Sequence, residues 1–217
     1  MSRDRTAQDR TAQDRTTEGG VDGDPAPRPR RADARRNVDA LIEAARTVFA
    51  TSGVDAPAKE ITDRAGVGVG TLYRHFPRRS DLVKAVVESG IDAVADAGQE
   101  LSAACEPAEA LTQWIYRFTE LLATKRGLAS ALHSGDPAFS GLPAYFLRRL
   151  GPTLAVLLDA AVADGTVRDD ISAADLLDAL TQLSQPVPGR GPEHNQRIVA
   201  VFVDGLRSGA TRRSAAR

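Results

Sequence analysis

Four donor-bearing side chains stand almost side by side: Thr71, Tyr73, Arg74 and His75, preceded by glycines at 66, 68 and 70. A hydroxyl, a phenol, a guanidinium and an imidazole in one short run suit hydrogen bonding to a polyanion better than bond-breaking chemistry. Placed about 100° apart around a helix, Leu72, Phe76 and Val69 fall on one side and Gly70, Thr71 and Arg74 on the other. Tyr73 and His75 flank the two faces. Thr71 can donate or accept at a base edge or touch a thymine methyl, and Gly70 has no side chain to hold the backbone away from a duplex. Tyr73 and His75, at the margins, suit phosphate oxygens. Gly68 and Val69 offer no polar group, so apolar contact and DNA shape must supply part of any discrimination.

Catalytic sets are not evident. His75, His133 and His194 are scattered, Gly-x-Ser-x-Gly and His-Glu-x-x-His do not occur, and the carboxylates show no recognisable pairing. The glycines lack G-x-G-x-x-G spacing and follow no hydrophobic strand, which removes a dinucleotide-binding reading. The single Cys105 excludes an internal disulfide framework and supplies no metal cluster. No enzyme activity, metal or cofactor is expected.

A helix this short cannot stand alone, because nucleating two turns costs more than their hydrogen bonds return. Its companions are visible. Pro57 to Ala65 reads as a helix with Pro57 at its first position and Gly66 ending it. Upstream, Val38, Leu41, Ile42, Ala45, Val48 and Phe49 form one apolar stripe that stops at Gly53 and Val54. Downstream, Pro77 breaks the chain and Arg78-Arg79-Ser80-Asp81 opens another helix whose free N–H groups would favour a phosphate. Arg79, Lys59 and Arg36 are further phosphate candidates.

The run from Asn37 to Glu88, with Phe49-Ala50-Thr51-Ser52-Gly53-Val54, Glu60-Ile61, Ala65-Gly66-Val67, Gly70-Thr71-Leu72-Tyr73-Arg74-His75-Phe76-Pro77 and Asp81-Leu82, closely resembles the DNA-binding domain of the TetR family of bacterial regulators. The resemblance implies an all-helical homodimer that binds a near-palindromic double-stranded operator and usually represses, with a divergent C-terminal domain receiving a signal. It also gives Tyr73 and His75 a phosphate role and places a basic residue at position 79 beside the backbone. Many family members carry polar or basic side chains where this chain has Gly68 and Val69.

Charge agrees with that picture. The net charge of the 217 residues is -1, but between residues 28 and 88 Lys and Arg outnumber Asp and Glu by twelve to eight, whereas from 89 onward acids prevail by fifteen to twelve. The cationic part is where DNA should lie. Residues 1–33 read as a disordered tail, because Asp-Arg-Thr-Ala-Gln repeats at Asp4 and Asp9 with almost no apolar residue. Its basic end, Arg28, Arg30 and Arg31 followed by Arg35 and Arg36, would either track phosphates or remain a solvated tail. No apolar run reaches the roughly 20 residues a membrane span needs, and no signal segment is seen, so a cytoplasmic location is expected.

The expected organisation is a helix-turn-helix unit over 34–80, a helical regulatory and dimerisation domain over 81–210, and a disordered end at 211–217, with about nine helices in all. Leu82, Val83, Val86, Val87, Ile91, Val94 and Leu101 line a long helix from about Ser80 to Ala103. Two more long helices and a short one near Arg126 to His133 follow, with Gly151-Pro152 predicting a break or kink. Ser172 and Asp175 form a capping signal before the last pair. The resemblance makes that pair the dimer interface, through Leu176, Leu180, Leu183, Ile198, Val201, Phe202 and Leu206, which would set two recognition helices roughly 34–36 Å apart. Trp114, Phe118, His133, Phe139, Phe146 and Gln182 are candidate walls of an effector pocket, although aromatic residues at helical spacing are more often core.

The expected function is therefore a sequence-specific transcriptional regulator, a repressor released by an unknown small-molecule effector. The alternative is a helical binding or sequestering protein with a vestigial DNA-binding head.

Overall fold

The computed structural model describes residues 28–124 and 128–214, with side chains from 33 to 124 and 128 to 208. Among these residues there are nine α-helices and no strand: α1 (Arg28–Ser52), α2 (Ala58–Ala65), α3 (Val69–His75), α4 (Arg79–Ala104), α5 (Pro107–Thr124), α6 (Ala129–Leu132), α7 (Leu142–Ala163), α8 (Ala173–Leu183) and α9 (Pro192–Ser214), with a 3-10 turn at Pro137–Phe139. The all-α expectation holds.

Two boundaries move. The tail expected to end at residue 33 gives way to α1 at Arg28, so the basic end of the arm is helical; Pro29 is compatible with this because a first-turn N–H has no intrahelical partner to lose. The repeats before it lie outside the described residues. Helix α9 likewise continues past 210 to Ser214.

One buried cluster runs through the whole molecule. Leu41, Ala45, Val48 and Phe49 of α1 meet Ile61 of α2, Leu72 of α3 and Phe76 after it, then Leu82, Val83 and Val86 of α4. Further along α4 the same cluster takes in Ile91, Val94 and Leu101, which pack with Trp114, Ile115 and Phe118 of α5 and Leu150, Leu154 and Leu157 of α7. Helix α4 thus belongs to both halves, and a boundary at residue 80 divides the sequence without dividing the core.

Polar clamps fix α4 against α7. Asp92 accepts from the Tyr145 hydroxyl at 2.7 Å and from Arg149 Nε at 2.6 Å, while Asp96 accepts from Arg149 at 3.0 Å. Burial and the Asp92 hydrogen bond raise the Tyr145 pKa, and the same carboxylate stabilises the charged Arg149. Close approach continues at Gly98, where an added Cβ would overlap the Thr153 methyl. Gly98→Ala is accordingly expected to destabilise by about 1–3 kcal/mol, the range for overpacking a tight contact. Calorimetry showing an unchanged midpoint would put the α4–α7 crossing farther apart than this.

Helix α7 passes through Pro152 without the expected break. Proline removes the N–H that would satisfy the Arg148 carbonyl, but Pro152 is exposed and water can serve that oxygen. At α8 the capping expectation holds: Ser172 Oγ accepts from the Asp175 N–H at 3.1 Å.

Candidate nucleic-acid interface

Helix α2 ends where its residues require it to. Gly66 takes a left-handed φ of 69°, and the Val67 N–H turns back to the Thr62 carbonyl at 3.1 Å, a paired C-terminal closure that strongly favours glycine. Pro57 stands one position before the helix, at its N-cap, and not at the first helical residue. Gly68 is extended and opens α3, its carbonyl accepting from the Thr71 N–H at 2.9 Å.

This helix buries one flank and presents the other. Leu72 and Phe76 are buried against the head, while Tyr73 is 52% and Val69 40% exposed. Val69 therefore does not join Leu72 on the packed side: it stands in the first turn, and its methyls face outward with Gly70 and Arg74. Thr71 and His75 are half-buried at the margins. The outward surface is thus a small apolar patch bordered by hydroxyl and cationic groups, able to lie close to a duplex and reach both base edges and phosphates.

The expected phosphate ligands divide into two kinds. Lys59 is exposed and pairs with Asp63 at 2.6 Å, and Arg36 pairs with Asp33, both on the surface. Such pairs are worth little in water, so phosphates can displace them. Arg79 is different. Its guanidinium donates to the Val54 carbonyl at 2.8 and 2.5 Å and to the Ala56 carbonyl, and lies 5.0 Å from the Phe49 ring centroid. Burial lowers its pKa. Arg79 is spent on the α1–α2 connection, which corrects its expected place beside the DNA backbone.

The start of α4 is also occupied from within. Asp81 accepts from the Arg78 N–H at 3.1 Å and from the Arg78 guanidinium at 2.8 Å. The Arg78 side-chain hydrogen bond, the larger cause, holds the Asp81 carboxyl below the usual carboxylate range. A carboxylate already supplies the anion that this helix end favours, so the expected phosphate site there is filled by the chain itself. Asp136 joins the same region, its carboxyl lowered first by the Ala138 N–H at 2.8 Å and then by the Ser80 hydroxyl. No spacing in the sequence announces this link between the body and the head.

Residues 41–86 match the tetR family of bacterial regulatory proteins, and residues 106–208 match the C-terminal domain of SbtR-like transcriptional regulators. A TetR transcription regulatory protein from Mycobacterium vanbaalenii is 38% identical, with 82% of this chain and 99% of that one aligned at a TM-score of 0.66. The chain belongs to the TetR family. A TetR transcriptional regulator from Streptomyces coelicolor is 34% identical over 78% of this chain and 98% of its own, also at a TM-score of 0.66. An HTH-type transcriptional regulator of Staphylococcus aureus is 38% identical over 63 residues, and this match spans 34% of its length. As a TetR-family protein, the chain is a DNA-binding transcriptional regulator, and α2 with α3 is its helix-turn-helix.

In the body of this TetR-family regulator, the six expected pocket residues do not surround one space. Trp114 and Phe118 are fully buried and stack with centroids 5.5 Å apart, and Trp114 Nε1 donates to the Val94 carbonyl at 2.9 Å. Phe146 packs on Phe118. Trp114 and Phe118 belong to the core, and Phe146 is half-buried against it. Phe139 borders a separate recess beside Arg78 and Arg79, whereas His133 and Gln182 are exposed. A different cavity lies between α1, α4 and α5, and none of the six lines it.

The expected dimer residues also separate. Leu176, Leu180 and Leu206 are buried within the chain itself, where α8 and α9 cover the body. Leu183 and Phe202 are half-buried against that core. Ile198 and Val201 remain at the surface, Val201 with 69% of its area exposed. Among the described residues no helix is long and apolar enough to cross a membrane, and no group of three or more His, Cys, Asp or Glu side chains is arranged to hold a metal.

Proposed function

We propose that this regulator acts as a homodimeric repressor in the bacterial cytoplasm, binding a near-palindromic operator and leaving it when a small-molecule effector occupies the body. One observation carries the operator reading: α3 buries Leu72 and turns Val69, Gly70, Tyr73 and Arg74 outward, with Thr71 and His75 at the margins. A surface of this composition would be poorly used if water were its only partner. Release follows from a population shift, in which the effector prefers a dimer whose heads are too far apart or too close for successive major grooves. An effector with equal affinity for both shapes would change nothing.

Mobility shifts against DNA upstream of its own coding region test the first step. Binding falls steeply with salt, and Tyr73→Ala weakens it by about tenfold, the scale of one lost phosphate contact plus local packing. Retention of full affinity by that variant would remove Tyr73 from the interface.

The dimer reading is supported by the exposed apolar stripe of α9. Val201→Arg places a charge where a two-fold partner would desolvate it, so light scattering at micromolar concentration is expected to move from dimer to monomer. A variant that stays dimeric would send the interface to another face.

A further inference from the structure

The cavity between α1, α4 and α5 has a volume of about 350 Å³, near the lower end of small-molecule sites. Its walls are apolar: Phe49, Val87, Val94 and Leu128 line it, each buried. Three charged residues also line it, Arg46 from α1 and Arg117 and Glu120 from α5. All three are exposed, so they stand at its opening. Arg46 pairs with Glu43 and Arg117 reaches Glu100 at 3.9 Å, exposed pairs that an incoming anion can replace at little cost. Once those pairs open, two guanidiniums stand at the opening with one lining carboxylate, Glu120, which leaves one positive charge in excess for an incoming anion.

From this arrangement we infer that the cavity binds a small amphipathic monocarboxylate, with its apolar body among Phe49, Val87 and Val94 and its carboxylate held by Arg46 and Arg117. The site rests on the effector-responsive reading and deepens it, because it adjoins the head and not only the body. Phe49 is shared. The ring that walls the cavity also lies beneath Arg79, whose guanidinium holds the Val54 and Ala56 carbonyls ahead of α2. A ligand pressed against Phe49 therefore acts one side chain away from the connection that sets the helix-turn-helix. The apolar interior gives the site its selectivity, since a second carboxylate at the far end of the ligand would be buried among Phe49, Val87 and Val94 with no cation lining that part.

The test is calorimetric titration of the full chain with octanoate, decanoate, decanedioate and decanol, alongside fluorescence of the single tryptophan, whose indole is bonded to the Val94 carbonyl at the cavity wall. Decanoate is expected to bind about tenfold more tightly than octanoate, as two further buried methylenes require, and more tightly than decanol or decanedioate. Arg46→Glu with Arg117→Glu weakens decanoate by about tenfold or more and leaves decanol within about twofold. Ala93→Phe fills the space from an exposed position on α4 and abolishes binding without unfolding the protein. Failure of every carboxylate to bind, equal affinity for decanol, or binding indifferent to these substitutions overturns the site. Decanoate binding with the expected charge dependence but no effect on operator affinity upholds the site and overturns the effector-release reading.

Discussion

Arg79→Met is expected to lower the thermal midpoint by about 5–10 °C and to weaken operator binding, while the salt dependence of the binding that remains is unchanged. Arginine at this position serves two carbonyls of the α1–α2 connection, those of Val54 and Ala56, and both residues are buried. Methionine keeps most of the aliphatic volume but offers no donor. Hydrogen bonds to a charged group contribute about 1.5–3 kcal/mol, and the stacking on Phe49 adds about 0.5–1 kcal/mol. Water can reach part of the connection once the guanidinium is gone, so a net loss of about 2–3 kcal/mol is expected. The helix-turn-helix would then be mispositioned in a fraction of molecules, and apparent affinity would fall with that fraction. A phosphate contact behaves differently: each one lost reduces the slope of log affinity against log salt by about 0.9. A reduced slope with an unchanged midpoint would return Arg79 to the DNA backbone.

Trp114→Ala has the largest expected cost to the body, about 3–5 kcal/mol. The indole is fully buried, stacks on Phe118 and donates to the Val94 carbonyl, so truncation opens a cavity and removes a buried hydrogen bond. Calorimetry is expected to show a midpoint lower by about 8–15 °C, with a ligand-independent loss of operator binding as α4 loosens. If instead the midpoint stays within about 2 °C of the parent and only ligand affinity changes, Trp114 lines a pocket as the sequence had allowed.

How far the sequence could be read depended on the range of the interactions involved. Helix α3, the glycine closure of α2 at Gly66 and the cap at Ser172 depend on residues within five positions of one another, and each is found where the spacing puts it. The long helix expected from Ser80 to Ala103 is α4, Arg79–Ala104, because a sustained apolar stripe leaves little choice of period. Arg79 was misread for the opposite reason. Its partners lie 23 and 25 residues away, so an arginine that holds two carbonyls looks, in sequence, like any exposed cation.

The same distinction separates the two helical faces at the end of the chain. The family resemblance, supported by apolar content alone, placed Leu176, Leu180, Ile198 and Val201 in one interface, but the fold turns the first two inward and the last two outward. An apolar residue reports that water is unfavourable around it, not whether its own protomer or another molecule excludes that water.

What the chain determined by itself is the all-helical build, the helix-turn-helix and the outward placing of Gly70, Tyr73 and Arg74 on α3, though not of Val69, since these follow from periodicity, glycine conformation and charge over a few turns. Tertiary structure alone decided which cations are available to phosphate, which aromatics are core, and where a cavity opens between Arg46 on α1 and Arg117 on α5. Those outcomes depend on side chains brought together across tens of residues, and no local pattern encodes the distance between them.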